Sequence, residues 1–213
     1  MSFPPHLFDE PDHSVNTLKN LGPLRGLAGE WEGHIGMDVK PTADGGEAQA
    51  YVEKMVIEPI DPQLNGPQLL YGLRYHTHIV KPGEVEMYHD QVGYWLWEPA
   101  TGSIMLTLSI PRGQTVLATG TAKPDAKSFT VSAERGLTSN GILSNSFLEE
   151  NFTTSAFTMT VTIEDDDHWR YEEETTLHIK GVAEPFAHTD KHRLERTAAA
   201  TVNPLAKAEG AKP

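Results

Sequence analysis

Apolar and polar residues alternate along most of the chain from residue 29 onward, which is the period of a β-strand. The pattern predicts strands at 29–39, 49–59, 68–80, 84–98, 103–110, 114–122, 127–134, 145–154, 156–164, 168–180 and 186–197. Turn sequences such as Asp44-Gly45-Gly46 and Lys81-Pro82-Gly83 separate the strands. No long helical pattern lies between them, so the chain favours an antiparallel meander over parallel βαβ units.

About ten strands that close on themselves leave no exposed sheet edge. We therefore predict an all-β fold, an up-and-down antiparallel β-barrel, preceded by a short N-terminal helix over Val15–Leu21 with Ser14 as its N-cap. The barrel is expected to form one domain over residues 14–197. Residues 1–13 are expected to be a flexible arm and residues 198–213 a flexible tail.

The first predicted strand begins with Gly29-Glu30-Trp31-Glu32-Gly33. Trp31 is large enough to plug one end of a barrel, and the two glycines allow the strand to bend around it. A barrel with a wide interior points to a bound small molecule. The alternative interpretation is a core tryptophan between two turn glycines.

Composition excludes several kinds of partner and chemistry. The chain has 17 Lys and Arg against 30 Asp and Glu, a formal charge of −13, which disfavours nucleic acid and anionic membrane surfaces. It has no cysteine, so thiolate metal sites and thiolate catalysis are excluded. The first residues lack the pattern of a secretory signal, and no stretch is apolar enough for a membrane span. We expect a cytoplasmic protein.

Two segments offer contacts for a small ligand. In the aromatic strand 84–98, His89 and Gln91 share one face, and Trp95 with Trp97 forms a candidate pocket wall or ordinary core. Arg112, in the turn Ile110-Pro111-Arg112-Gly113, is a candidate clamp for a ligand carboxylate. The alternative for Arg112 is a surface salt bridge.

Three other groups of polar residues are candidates for metal or proton chemistry. His76 and His78 share a face, and with His89 they would form a metal site if the strands brought them together; a solvent-facing pair is the alternative. The run Glu172-Glu173-Glu174 resembles a solvated outer face more than a catalytic pair. In the last strand, His188 and Asp190 share a face and suit a ligand or an axial metal bond, or they close the barrel.

These residues together resemble the nitrobindin-like family of heme-binding β-barrels, whose shape is similar to that of lipocalins. The likeness covers residues 18–197 and rests on the Gly29–Gly33 motif, on His89-Asp90-Gln91-Val92-Gly93-Tyr94-Trp95 and on the last strand. Segments such as Ile110-Pro111-Arg112-Gly113 are more similar to the bacterial, fatty-acid-binding-protein-like branch. The resemblance implies a ten-stranded barrel, a ferric heme b held by His188 as metal ligand, and peroxynitrite isomerase-like activity.

The chain departs from the family pattern at three places. The Tyr-Pro pair that follows the first motif in heme-binding members is missing, and Gln91 stands where a carboxylate is usual. Counted back from Leu194, the position of the family's axial histidine is Thr189, one residue from His188. A shift of one residue on a strand reverses the face.

Two functions therefore stay open, with no catalytic residue assigned. The favoured one is a carrier or sensor of an apolar or amphipathic ligand with an acidic group, bound by Trp31, His89, Gln91, Trp95, Arg112 and His188. The alternative is a heme b protein acting on NO or peroxynitrite through His188. A third, weaker function is that of a metal-assisted enzyme built on His76, His78 and His89. Because members of the family often dimerise, the resemblance allows a homodimer.

Overall fold

The computed structural model describes residues 3–213 and shows an all-β protein, a closed ten-stranded antiparallel barrel with two extra short strands. The barrel strands are β1 (Gly29–Thr42), β2 (Gly45–Pro59), β4 (Gln68–Val80), β5 (Met87–Glu98), β6 (Ser103–Ile110), β7 (Gln114–Thr121), β8 (Ser128–Glu134), β10 (Phe152–Ile163), β11 (His168–Ile179) and β12 (Phe186–Ala199). The extra strands are β3 (Gln63–Asn65), on β4, and β9 (Ile142–Ser144), on β7. The predicted fold class is confirmed.

Hydrogen bonding runs around the whole barrel in the order β2-β1-β12-β11-β10-β8-β7-β6-β5-β4. The circle closes where β2 pairs with β4, from Val52 opposite Val80 to Pro59 opposite Leu73. Closure removes the free edges that an open sheet of this length would expose. The alternation of side chains then sends every second residue of each strand into the interior.

One end of the barrel, here called the closed end, is filled by side chains. The helix α1 (Thr17–Asn20) and a 3₁₀ segment (Gly22–Leu27) lie across it and bury Leu21, Leu24 and Leu27 completely. Trp31 lies beneath them, and its Nε1 donates to the Leu27 carbonyl at 2.8 Å. The complete burial of these side chains is consistent with the close packing of a protein interior.

Gly22 shows how tightly the closed end is packed. Its φ of +54° belongs to the left-handed region, and a Cβ at this position would lie 2.6 Å from the Trp97 indole. The glycine that follows helix α1 therefore also makes room for the core side chain of Trp97.

One predicted strand is replaced by a helix. Residues 145–154 were expected to be extended, but Ser146–Asn151 forms helix α2, and β10 begins only at Phe152. The side chain of Asn145 accepts a hydrogen bond from the Leu148 amide, which caps the helix. The predicted strand was wrong here because the hydrogen bond from the Asn145 cap stabilises the helical conformation of Ser146–Asn151.

The C-terminal segment is packed against the closed end, which differs from the flexible tail expected for residues 198–213. After β12, Asn203 is buried, and its amide donates to the Val15 carbonyl at 2.9 Å and to Asp61 at 2.6 Å. Helix α3 (Pro204–Ala208) follows and buries Ala206. The alanine-rich composition of this segment suggests a mobile tail, whereas the packing depends on the single asparagine, Asn203.

In the predicted N-terminal arm, Met1 and Ser2 lie outside the described residues. Pro5–Phe8 forms an exposed 3₁₀ turn. Within residues 3–213, no helix is long and apolar enough to cross a membrane.

Candidate functional site

The last strand lines the interior of the other end of the barrel, here called the open end, with polar side chains. His188, Asp190 and His192 occupy alternate positions of β12 on the same face as the fully buried Leu194. Their partners across β11 are Thr175, Glu173 and Tyr171, which point the same way because opposite residues in an antiparallel pair share a face. His188 therefore faces the interior, and Thr189 does not.

A β-bulge in β1 brings Asp38 to the same place. The register of β1 with β2 shifts between Gly33 and Gly36, so the inward positions change from Trp31 and Gly33 to Gly36 and Asp38. Gly36 lies against the ring of Tyr51, where a Cβ would be only 2.3 Å away. Without the bulge the Asp38 carboxylate would face solvent.

Asp38, Tyr88, His188 and Asp190 form what we call the open-end cluster. His188 Nε2 lies 2.8 Å from Asp38 Oδ1 and 3.6 Å from Asp190 Oδ2. The hydroxyl of Tyr88 donates to Asp38 Oδ2. One nitrogen of His188 and one oxygen of each aspartate all lie within 4.8 Å of one another.

A second polar group lies deeper. His192 Nδ1 bonds Glu53 Oε2 at 2.8 Å, and both side chains are 1% exposed. Tyr171 donates to the same carboxylate at 3.0 Å, and its hydroxyl lies 2.8 Å from that of Tyr51. Nε2 of His192 has no hydrogen-bond partner within residues 3–213. It abuts Gly33, where a Cβ would be 2.3 Å from the ring.

The cluster separates the pKa values of its members. Burial would raise the pKa of Asp38, but hydrogen bonds from His188 and Tyr88 outweigh it and hold the value below the ordinary one. Burial would lower the pKa of His188, and the bond to Asp38 with the nearby charges raises it. Burial and the charge of Asp38 raise the pKa of Asp190 to about 7. Such separation is typical of functional sites.

Glu173 adds a fourth carboxyl group to this interior. It stands directly opposite Asp190 and makes no hydrogen bond or ion pair with any residue in 3–213. Burial and the charges of Asp190 and Glu53 raise its pKa well above the usual range. The side chain is still partly accessible.

The interior of the open end is therefore short of positive charge. Four carboxyl groups, Asp38, Glu53, Glu173 and Asp190, face two ion-paired imidazoles, one of which is shared between two aspartates. The ammonium groups of Lys40 and Lys81 lie at the entrance over the Tyr88 ring, 5.3 and 5.5 Å from its centroid. No ion pair within 4.0 Å links either lysine to a carboxylate in the described chain.

The structure brings some predicted ligand contacts into this interior. His188 belongs to the cluster, and His89 and Gln91 point inward from β5. Gln91 donates to the Tyr75 hydroxyl at 2.8 Å, and His89 Nε2 lies 3.5 Å from Gln91 Oε1. Burial lowers the pKa of His89. These three residues stay predicted ligand contacts.

Other predicted contacts lie elsewhere. Trp31 packs edge-on against Trp169, and Trp95 against Phe129, both in the filled closed end. Arg112 lies on the exposed turn between β6 and β7, at the rim of the open end. The structure thus places the two tryptophans in the core and the arginine outside the polar interior.

His76, His78 and His89 do not converge, and of the two alternatives the outward-facing pair of His76 and His78 is the one present. His76 and His78 point outward from β4 and lie 2.8 and 3.8 Å from Asp90, which is also on the outer face. His89 is on the inner face of β5. Neighbouring strands keep the two faces of the sheet apart, so the three imidazoles cannot share an ion.

Four members of the site were not predicted from the sequence: Asp38, Glu53, Tyr88 and Glu173. A bulge moves Asp38 inward. A second register shift, between Ile79 and Val80 on β4, allows Tyr88 to reach Asp38 although Asp90 on the same strand points out. For Glu173 a signal existed, because alternation with the outward Glu172 and Glu174 puts it on the face of Tyr171.

Comparison with known proteins supports the fold and the family. The family model described as THAP4-like, heme-binding beta-barrel domain matches residues 20–196. The chain belongs to this family. The match confirms the resemblance inferred from the sequence. A search of curated proteins found no match.

A solved structure agrees with the barrel fold. The crystal structure of Rv2717c from M. tuberculosis has a TM-score of 0.59 and 22% identity, and the match covers 87% of this chain and 99% of that one. A beta-barrel-like protein of a domain of unknown function from Brucella abortus matches with a TM-score of 0.25 and 8% identity, over 79% of this chain and 97% of that one. Only the first similarity supports the barrel.

Proposed function

We propose that this chain is a small-molecule-binding barrel whose open end receives a ligand with a positively charged group. The observation that carries the proposal is the charge inventory of that end, with four carboxyl groups against two ion-paired imidazoles. Buried carboxylates need a counter-charge or a proton. A cationic ligand supplies the counter-charge, and Asp190 with Glu173 offers it two carboxyl groups on adjacent strands.

The same inventory disfavours a fatty acid, the ligand that the sequence analysis preferred. A carboxylate entering the open end would meet four carboxyl groups, and the predicted clamp, Arg112, is on an exposed turn. The ligand class that we propose therefore has the opposite charge.

Heme is the ligand that the family description implies, and the interior position of His188 favours it. The other residues present do not fit a heme. Nε2 of His188 is bonded to Asp38, with Asp190 on its other side, so an iron at that nitrogen would leave a buried carboxylate unpaired. The carboxyl-lined open end also suits neither an apolar macrocycle nor its propionates.

Octylamine and octanoate test the proposed charge preference, because they share a chain length and differ in the charge of the head group. Isothermal titration calorimetry should show saturable binding of octylamine at one site and none of octanoate. Asp190→Asn should weaken octylamine binding about tenfold, since one charge-assisted hydrogen bond is lost. Glu174→Gln, on the outer face of β11, should leave it unchanged. Equal binding of both compounds, or preference for octanoate, would refute the proposal.

A further inference from the structure

We infer that Asp38, His188 and Asp190 form a binding site for a divalent first-row transition metal ion. The inference rests on the proposed function in one respect, the need of the open end for positive charge, and it names the cation. The three residues come from two neighbouring strands, β1 and β12, whose register puts Asp38 directly opposite Asp190.

The donor atoms are close enough to share one ion. His188 Nε2 is 2.8 Å from Asp38 Oδ1 and 3.6 Å from Asp190 Oδ2, and all three atoms fall within 4.8 Å of one another. Ligand atoms around a tetrahedral ion at about 2.1 Å lie about 3.4 Å apart. Small rotations of the side chains therefore suffice to place an ion between them.

The chemistry of the donors selects the kind of ion. An imidazole with two carboxylates suits Zn²⁺, Co²⁺, Mn²⁺ or Fe²⁺ better than Ca²⁺ or Mg²⁺, which prefer oxygen ligands alone. Three protein ligands leave at least one coordination position for water or another molecule. An ion bound by all three residues would compensate the negative charge of both aspartates, and His188 would bind it in its neutral form. A heme iron bound to His188 alone would instead leave the Asp38 carboxylate unpaired.

The surroundings of the three residues support the same conclusion. Tyr88 holds the second oxygen of Asp38, as an outer-shell partner fixes a metal ligand. Glu173, which faces Asp190 and has no partner within residues 3–213, adds a further negative charge beside the site. Since a carboxylate in a partly buried position without a partner is costly, the position of Glu173 favours a cation beside it.

Cobalt titration of the untagged protein, freed of metal with a chelator, tests the site directly. Co²⁺ bound by nitrogen and oxygen ligands absorbs visible light, so binding is read at one equivalent without any assay of activity, and Zn²⁺ should displace it. The isosteric variant Asp190→Asn and the variant His188→Ala should each weaken Co²⁺ binding about tenfold or more. Far-UV circular dichroism and the melting temperature show whether each variant folds.

The outer face provides the matched control. His76, His78 and Asp90 form a second histidine–carboxylate group there. The double variant His76→Ala with His78→Ala should keep the Co²⁺ absorption. Loss of Co²⁺ binding in this variant and retention in folded Asp190→Asn would overturn the inference. Absence of Co²⁺ and Zn²⁺ binding in a protein that binds octylamine would overturn it and leave the proposed function standing. If Co²⁺, Zn²⁺ and octylamine all fail to bind, both the inferred metal site and the proposed function are overturned.

Discussion

At the scale of single residues, the site depends on glycines that make room for polar rings. Gly33 lies against His192, whose pairing with Glu53 is almost completely shielded from solvent. A buried pair of this kind is sensitive to geometry, since displacement of one partner leaves the other unpaired and desolvated. The bulge that follows Gly33 also directs Asp38 inward, so one stretch of β1 supports both polar groups.

Gly33→Ala should destabilise the protein by about 1–3 kcal/mol, because the new Cβ would lie 2.3 Å from the His192 ring and force it away from Glu53. Urea unfolding followed by tryptophan fluorescence measures the change. Gly46→Ala in β2 is the control, since its Cβ would make an ordinary contact 3.4 Å from Phe186. If Gly33→Ala were as stable as the wild type, the His192 ring would be able to move away from the new Cβ without loss of stability, which would contradict the prediction.

At the scale of secondary-structure elements, the pairing of β11 with β12 places two carboxyl groups, Glu173 and Asp190, directly opposite each other inside the barrel. Burial and neighbouring negative charge raise the pKa of both, that of Asp190 to about 7. The titratable groups that face the pair from the surrounding strands include Asp38, Tyr51, Glu53, Tyr75, Tyr88, His89, Tyr171, His188 and His192.

In metal-free protein, the contribution of Asp190 to stability should be present at pH 4 and lost as the pH rises through about 7. The reason is that the folded state binds a proton that the unfolded chain has already released. Asp190→Asn should therefore match the wild type near pH 4 and exceed its unfolding free energy at pH 8 by on the order of a few kcal/mol. Urea unfolding across this pH range gives the difference, with Glu174→Gln as control. If the difference in unfolding free energy between Asp190→Asn and the wild type grew toward low pH, the pKa of Asp190 would not be raised in the folded state.

The strands also show which parts of the structure could be predicted from the sequence. Alternation and turn residues predicted the barrel and most strand positions, because both depend on local chemistry and a period of two. The interior of the open end could not be predicted fully, since bulges in β1 and near Tyr88 change which side chains point inward. His188 and Asp190 were correctly placed on one face, because β12 carries no such shift between Phe186 and Leu194 in its pairing with β11.

At the scale of the whole molecule, the THAP4-like barrel combines a filled apolar end with a polar, acidic one. The closed end is a protein core with four fully buried tryptophans, Trp31, Trp95, Trp97 and Trp169. The open end carries the groups with shifted pKa values. Because a fold supports many functions, the side chains of the open end decide what this member of the family binds. Here they form an ion-paired cluster around His188.

The most direct test of this account is a titration of the purified protein with hemin, followed by absorption in the Soret region. Because Asp38 holds Nε2 of His188, we predict no saturable Soret shift, and His188→Ala should give the same spectra as the wild type. A sharp shift complete at one equivalent of hemin and absent in His188→Ala would contradict the account. It would show that His188 leaves Asp38 to bind iron.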